Sequence, residues 1–336
     1  MGKKRIGWID VAKGIAMILV VLGHNPMPSL AVKIIYALNV PIFFMMSGYT
    51  FKTEKYPTLF SLIKKLLVRI IVPYIIMNLI AFPVYYYARG MAIDKDAIIN
   101  LLKGMLFGSG TMNALRTNIP LWFLPCMFVV QCMWYIIDKY AKKLKWLCIA
   151  LVSAFGYFMP LLILKRLPWG IDVALTGVVF FALGSLLRDE KMQNILFKIP
   201  ADIGFLVALV LNLSFNFLNT GANPNVDINA MVFGNYFLFY LCTLSGCASV
   251  IYLAYLLDNS VVLGYIGRNT LWILGLHSVF IQVFELILKL NFVNVYALNS
   301  LILCMIEIAC VCTLKLIYDG LKLSVISIKG KVGENI

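Results

Sequence analysis

Long apolar runs, separated by short polar segments, fill the chain from its first residues to about residue 320. Each run has about 17 to 23 residues, which is the length that an α-helix needs to cross the hydrocarbon core of a bilayer. The pattern predicts an all-α, polytopic membrane helix bundle with about ten transmembrane helices. The predicted spans are residues 9–27, 33–51, 66–88, 119–138, 145–164, 171–187, 201–218, 235–257, 270–289 and 297–318.

The polar segments between these runs carry unequal numbers of cations. With a cytosolic N-terminus, nineteen lysines and arginines fall in segments on the inside and eight in segments on the outside. The positive-inside rule therefore predicts that both termini are cytosolic. Two of the outside connections, residues 89–118 and 219–234, are long. Each is compatible with an external substrate site and equally with a plain connection.

Composition supports a membrane protein and excludes a soluble one. Of the 336 residues, 62% are hydrophobic and 13% are charged, and the mean hydropathy is +0.91, far above the soluble average. The net charge of +14 does not indicate nucleic acid, because the cations lie in short segments between spans, as expected for solvated loops that orient the protein. Contact with the anionic groups of membrane lipids or with phosphate is the alternative. The polar segments are too short for a soluble domain, so residues 1–336 are predicted to form one transmembrane domain. The eight cysteines fit no metal site, and we predict none.

The first apolar run carries three polar side chains on one helical stripe. At 100° per residue, Asp10, Lys13 and His24 share a face, and Lys13 and His24 are separated by a rise of roughly 16 Å. Titratable groups within a membrane helix are costly and mark functional sites by default. A neutral imidazole is a natural general base, but a hydrogen bond to a neighbouring helix would equally explain the histidine. Asp10 and Lys13, three residues apart, could also simply pair with each other.

Further polar positions accompany this stripe along the chain. Lys64, Lys65 and Arg69 form a cationic run at the cytosolic end of the third span, suited to a phosphate-bearing cofactor but also expected from topology alone. His277 lies about two turns into the ninth span and is either functional or a helix–helix contact. The second and fourth spans add candidates for substrate binding. These are Asn39, Ser47 and Trp122. Ser47-Gly48 equally allows a close helix contact, and an aromatic residue of the membrane interface is the alternative for Trp122.

Several segments together resemble one family, the integral membrane acyltransferases called acyltransferase 3. The resemblance is strongest to the branch of fucose 4-O-acetylases and other polysaccharide O-acetyltransferases. It covers residues 5 to about 320 and follows the family's order. The matching segments are Ile9-Asp-Val-Ala-Lys-Gly14, Leu22-Gly-His24, Pro41-Ile-Phe-Phe-Met-Met-Ser-Gly-Tyr49, Arg69-Ile-Ile-Val-Pro-Tyr74, Leu121-Trp-Phe-Leu124 and the segment around His277.

The resemblance implies about ten helices, acetyl-CoA as a co-substrate entering from the cytosol, and transfer of the acyl group to a hydroxyl of a glycan. It implies that His24 is the catalytic histidine, with Lys13 where the family usually has arginine and Asp10 beside it. Lysine keeps the charge of arginine but loses its planar fork. A family arginine pair is represented only by Arg69, with Lys64 and Lys65 nearby. The fused esterase-like domain of some relatives has no counterpart in this sequence.

The predicted function is therefore an O-acyltransferase that acts on an envelope glycan or glycolipid in the bacterial inner membrane. His24 would act as a general base or as an acyl relay, Lys64, Lys65 and Arg69 would bind the donor, and Asn39, Ser47, Trp122 and His277 would bind substrate. A secondary transporter or flippase is the alternative, although no inverted repeat is visible. A non-catalytic partner of a glycan-assembly complex is a third possibility. The sequence does not indicate the oligomeric state.

Overall fold

The computed structural model of the chain describes residues 6–111, 114–162, 166–219, 226–288 and 297–333. Helices account for nearly all regular structure within these ranges, which confirms the predicted all-α bundle. The α-helices are α1 Gly7–Gly23, α2 Ser29–Thr50, α3 Leu59–Leu66, α4 Val72–Ala88, α5 Lys95–Phe107, α6 Phe123–Ile136, α7 Lys145–Leu162, α8 Ile171–Leu186, α9 Glu190–Leu196, α10 Ala201–Leu218, α11 Tyr236–Leu256, α12 Val261–Arg268, α13 Thr270–Leu288 and α14 Ala297–Gly333.

The predicted spans correspond to these helices. In the described ranges, eight helical stretches are long and apolar enough to cross a membrane. One of them, Ile119–Pro160, has 42 residues and contains both α6 and α7, so it accounts for two predicted spans. The remaining predicted span is α1, whose 17 residues lie at the short end of the range for a crossing helix.

Helix α1 occupies the centre of the bundle. It contacts α2, α11, α12, α13 and α14, and most of its side chains are buried. Two glycines allow its closest contact, because a Cβ atom at Gly14 would lie 2.2 Å from the carbonyl oxygen of Leu263 and one at Gly267 only 1.7 Å from that of Asp10. The polar stripe of α1 is therefore surrounded by protein and not by lipid.

A second glycine contact joins α2 to α8. A Cβ atom at Gly48 would lie 1.9 Å from the carbonyl oxygen of Phe181, and one at Gly184 would lie 1.8 Å from that of Met45. Small residues permit this backbone approach between membrane helices. Gly48 therefore marks a close contact between α2 and α8.

One end of the bundle collects the segments that the charge count assigned to the cytosol. Thr53 donates a hydrogen bond to Asp138 at 2.6 Å, and Lys145 lies 3.3 Å from the same carboxylate. Arg188 donates to the backbone carbonyl of Phe51. The opposite end holds the connections assigned to the outside, where Arg166 pairs with Asp172. We name the two ends cytosolic and outer after this predicted assignment.

Two π-helical turns interrupt the helices at the cytosolic end. The first, Leu67–Ile71, lies between α3 and α4, and the second, Ile137–Ala141, follows α6. Such turns insert an extra residue and change the direction of the side chains that follow, and they are frequent at functional sites. The first turn contains Arg69 and therefore sets its direction.

Candidate functional site

A cavity of about 520 Å³ extends along the polar stripe of α1 from the cytosolic end of the bundle to the outer connections. Lys52 and Lys55 line its cytosolic end, and Asp227 and Asn229 line its outer end. We call this cavity the passage. The other residues used below that line it are Lys13, His24, Tyr36, Asn39, Ser47, Tyr56, Lys65, Arg69 and Trp122.

His24 is the titratable group of α1 that lies toward the outer end of the passage. It follows the last turn of the helix, and its Nδ1 atom lies 2.7 Å from the backbone carbonyl of Val20. A carbonyl oxygen can only accept a hydrogen bond, so Nδ1 carries the proton of a neutral imidazole. The lone pair is then on Nε2. Because the side chain is accessible to solvent within the bundle, Nε2 is available to accept a proton from a bound hydroxyl.

His277 packs against His24 from the neighbouring helix α13. The two ring centroids are 5.1 Å apart at an interplanar angle of 61°. Nδ1 of His277 lies 2.8 Å from the carbonyl of Ile273, which fixes this ring in the same tautomer by the same argument. His277 is fully buried and does not line the passage. Its contact with His24 therefore favours a role in holding the His24 ring.

The cytosolic end of the passage is strongly cationic. Lys52, Lys55, Lys65 and Arg69 line it, and within the described residues none of the four lies within ion-pair distance of a carboxylate. Four cations without a carboxylate at ion-pair distance among the described residues surround one opening. Such an opening is suited to a ligand that carries several phosphates.

Residues of α6 and of the turn that follows it fix the segment that carries two of these cations. Tyr135 donates a hydrogen bond to the carbonyl of Tyr56 at 3.0 Å, and Lys139 donates to the carbonyl of Pro57 at 2.5 Å. The bond from Thr53 to Asp138 holds the same segment. These hydrogen bonds therefore hold in place the connection that carries Lys52 and Lys55. It lies at the cytosolic end of the passage, which we call the mouth.

The outer end has a different chemistry, with one carboxylate, amides and aromatic rings. Asp227 accepts hydrogen bonds from the backbone N–H groups of Asn229 at 2.8 Å and Ala230 at 3.2 Å. Burial raises the pKa of Asp227 above its ordinary value, although these two N–H groups and nearby Arg166 oppose the shift. Tyr36 donates to the carbonyl of Gly23 at 3.2 Å, next to His24. Carboxylate, amide and aromatic groups together are suited to a polyhydroxylated ligand.

A model of the acyltransferase 3 family, described as an acyltransferase domain, matches residues 6–315. The chain belongs to this family. A search of curated proteins and a search of solved structures each found no significant match. The matched range contains the whole passage and both histidines, so the geometry described above is that of a membrane acyltransferase.

The passage of this acyltransferase brings together most of the residues singled out from the sequence. Seven of them line it, namely Lys13, His24, Asn39, Ser47, Lys65, Arg69 and Trp122. Asp10, Lys64 and His277 do not line it. Asp10 lies where α1 meets Gly267 of α12, and Lys64 is exposed on the cytosolic surface.

Sequence reasoning missed several residues that line the passage of the acyltransferase. Lys52 and Lys55 were counted only as topology signals, and Tyr36, Asp227 and Asn229 were not singled out. A signal for the last two was present, because the long polar connection 219–234 was considered as a possible external site. An isolated antiparallel bridge between Asp227 and Val232 determines which residues of this connection point inward. No local sequence pattern predicts this bridge.

A buried polar pair also lies beside His24. Asn25 donates a hydrogen bond to Glu307 of α14 at 3.4 Å and another to the carbonyl of Val21 at 3.1 Å. Glu307 is fully buried. The pair joins α14 to the residue that follows His24, which helps to hold the end of α1 in place.

Proposed function

We propose that this acyltransferase moves an acyl group, most simply acetyl, from cytosolic acetyl-CoA to a hydroxyl group of an envelope glycan or glycolipid on the outer side of the bacterial inner membrane. The observation that carries the proposal is the passage itself. It joins a cationic cytosolic mouth to an outer end lined by carboxylate, amide and aromatic groups, and His24 lines it as well.

The donor is proposed to bind with its phosphates among Lys52, Lys55, Lys65 and Arg69. Its pantetheine arm would extend along the α1 stripe past Lys13 and Ser47 toward His24. Lys13 and His24 are separated by a rise of about 16 Å along the helix, so an extended arm is required to carry the thioester from the mouth to the histidine. This requirement favours a donor whose acyl group is held at the end of a long carrier.

The acceptor is proposed to enter from the outer side, with Tyr36, Asn39, Trp122, Asp227 and Asn229 around its sugar ring. Asn39 is nearly buried, and its Oδ1 atom accepts a hydrogen bond from the N–H of Val40 at 2.8 Å. Its amide N–H groups therefore point away from that bond and are suited to a sugar hydroxyl. Trp122 offers the flat apolar face on which the C–H groups of a sugar pack.

The chemical step uses the lone pair of Nε2. His24 removes the proton of the acceptor hydroxyl while its oxygen attacks the thioester carbonyl. The C–S bond then breaks, the sulfur leaves with its electron pair, and the proton held by His24 neutralises the thiolate. The products are the ester and the free thiol, so atoms and charges balance. Transfer of the acyl group first to Nε2 and then to the acceptor is the competing route.

Replacement of His24 by glutamine tests the proposal. Glutamine keeps a polar side chain of similar size but cannot act as a base at neutral pH. We expect the rate of acetyl transfer from acetyl-CoA to an envelope glycan extract to fall about a hundredfold to ten-thousandfold, measured as thiol release by protein purified in detergent. Unchanged elution volume and thermal midpoint establish that the variant is folded. A folded His24→Gln variant with the wild-type rate would overturn the proposal.

A single-turnover experiment separates the two routes. Protein mixed with acetyl-CoA labelled in the acetyl group, without acceptor, is denatured and analysed by mass spectrometry of its peptides. The relay route predicts the label on the peptide that contains His24, and direct transfer predicts an unlabelled peptide.

A further inference from the structure

A second cavity lies at the outer end of the bundle, separate from the passage. Its volume is about 490 Å³, and it is enclosed by α4, α5 and the segment from Ala114 to Thr117. None of the described residues lines both cavities. The proposed acyl transfer makes no use of it.

The walls of this second cavity are built by close contacts. A Cβ atom at Gly104 would lie 1.9 Å from the carbonyl oxygen of Ala114, so α5 packs directly on the backbone of the following segment. Tyr74 of α4 donates a hydrogen bond to the carbonyl of Met105 in α5 at 2.9 Å. The cavity is therefore a fixed feature of the fold.

The lining combines cations with polar groups. Lys103 and Arg116 line the cavity, and no carboxylate is among its described lining residues. Asn78 also lines it and is fully buried. Its amide group donates to the carbonyl of Tyr74 at 2.9 Å, but its Oδ1 atom has no hydrogen-bond partner among the described residues. A buried acceptor without a donor costs roughly 1–3 kcal/mol, so a ligand with a hydroxyl group would stabilise the site.

The outer surface of α5 carries exposed apolar side chains beside the cavity. Ile98, Leu102 and Leu106 are four residues apart and are 47%, 50% and 75% exposed, so they form an apolar stripe that faces away from the bundle. Ala97, Asn100 and Lys103 face the cavity from the other side of the same helix. A short helix with one apolar exposed face and one polar cavity face is typical of a membrane interface.

We propose that this cavity binds the anionic, hydroxyl-bearing headgroup of a membrane phospholipid in the outer leaflet. The phosphate is held by Lys103 and Arg116, a headgroup hydroxyl donates to Oδ1 of Asn78, and the acyl chains lie along Ile98, Leu102 and Leu106. Charge-assisted hydrogen bonds from lysine and arginine are the strongest protein contacts that a phosphodiester can make.

The test compares lipids retained by the full-length protein. The wild type and a Lys103→Gln/Arg116→Gln variant are reconstituted with equal amounts of phosphatidylglycerol and phosphatidylcholine, extracted in mild detergent and examined by native mass spectrometry. We expect the wild type to retain phosphatidylglycerol selectively. Loss of one charge-assisted contact lowers affinity by about tenfold or more, so the variant should lose this selectivity. Arg89→Gln/Lys95→Gln is the matched control, because these exposed cations of the same region do not line the cavity.

Two further arms make the outcome decisive. Asn78→Leu should weaken retention of phosphatidylglycerol but not of phosphatidic acid, whose headgroup has no glycerol hydroxyl. Inorganic phosphate is added to distinguish a lipid site from a site for the free anion. Equal retention of the two lipids by the wild type, an equal loss in the control variant, or binding of inorganic phosphate without selectivity for the lipid would each overturn the proposal.

Discussion

The hydrogen bond between Nδ1 of His24 and the carbonyl of Val20 is a contact within a single helix, four residues apart. The sequence predicts that His24 lies on the polar stripe, because helical periodicity places it there. The same periodicity cannot predict that the ring turns back onto its own helix or that His277 of α13 packs against it. Those features depend on ring orientation and on how distant helices pack. The position of His24 on the polar stripe was therefore predictable from the sequence, and its tautomer was not.

Neighbouring lysines at the cytosolic mouth provide the sharpest test of donor binding. Lys65 lines the passage and Lys64 does not, although both are exposed lysines on the same helix turn. We expect Lys65→Gln to raise the KM for acetyl-CoA about tenfold, the effect of losing one charge-assisted contact, and Lys64→Gln to leave it nearly unchanged. Steady-state kinetics at low ionic strength measures both. Equal effects of the two substitutions would show only a general attraction of the cationic surface for the donor.

The raised pKa of Asp227 predicts a specific dependence of stability on pH. Burial raises this pKa above the ordinary 3.8, so the folded protein binds the proton more tightly than the unfolded chain. The stabilisation from this group is present below 3.8 and is lost as the pH rises through the raised pKa. Asp227→Asn removes this loss, because asparagine does not titrate. Its amide oxygen can still accept the hydrogen bonds from the N–H groups of Asn229 and Ala230.

The measurement is the thermal midpoint in detergent from acidic to neutral pH. The midpoint of the wild type should fall more over this interval than that of Asp227→Asn, and the exposed Asp202→Asn should follow the wild type. Parallel curves for the wild type and Asp227→Asn would contradict the assignment of the shift to burial.

Among the elements, the long membrane helices were predictable and the short ones were not. Runs of about 20 apolar residues identify α2, α8, α10 and α11, because a helix of this length crosses the bilayer and satisfies its backbone groups within a single run. Helix α12 has only eight residues, and no apolar period of that length distinguishes a helix from a loop. The π-helical turn at Leu67–Ile71 is also invisible in the pattern, although it directs Arg69 into the passage. The predicted candidates therefore included Lys65 and Arg69, which line the passage, together with Lys64, which does not.

Two glycines three residues apart in α12 give a matched pair for testing the contact with α1. A Cβ atom at Gly267 would lie 1.7 Å from a backbone oxygen of α1, whereas one at Gly264 meets only the end of the Arg268 side chain at 3.2 Å. Alanine favours a helix over glycine by up to about 1 kcal/mol at either position, so the difference isolates the contact. We expect Gly267→Ala to destabilise the protein by about 1–3 kcal/mol and Gly264→Ala to be neutral or stabilising.

Thermal midpoints of the two variants in detergent measure this difference, and acetyl transfer measures whether α1 has moved. Because α1 carries Lys13 and His24, Gly267→Ala should also lower the transfer rate. Equal stability of the two variants would show that α12 does not pack on α1 as described.

At the scale of the whole molecule, the charge count and the structure agree on which segments share an end. The bonds of Asp138, Lys139 and Arg188 join three separate connections at the end assigned to the cytosol. The sequence predicted this grouping from cation numbers alone, because orientation in the membrane depends on charge and not on packing. It could not predict that one passage would connect the two ends, since that requires the helices to leave space between them.

Cysteine labelling tests the orientation directly. Lys55→Cys and Lys95→Cys place one thiol at each exposed end of the bundle, and the wild type measures labelling of the eight native cysteines. In intact cells, an impermeant maleimide should label Lys95→Cys and not Lys55→Cys, and inverted vesicles should give the reverse. Labelling of Lys55→Cys from outside would invert the topology and place the cationic mouth on the wrong side for a cytosolic donor.

The continuity of the passage has an energetic consequence under the proposed reaction. The charged part of the donor stays at the cytosolic mouth, and only the acyl group reaches the outer end. In return, the proton of the acceptor hydroxyl travels to the departing sulfur. The reaction is then an electroneutral exchange. The acyl group, counted as an acyl cation, moves outward, and one proton moves inward. Displacement of one net charge across the membrane would couple to about 2.3 kcal/mol per 100 mV, so this exchange lets the enzyme modify the outer surface without drawing on the membrane potential.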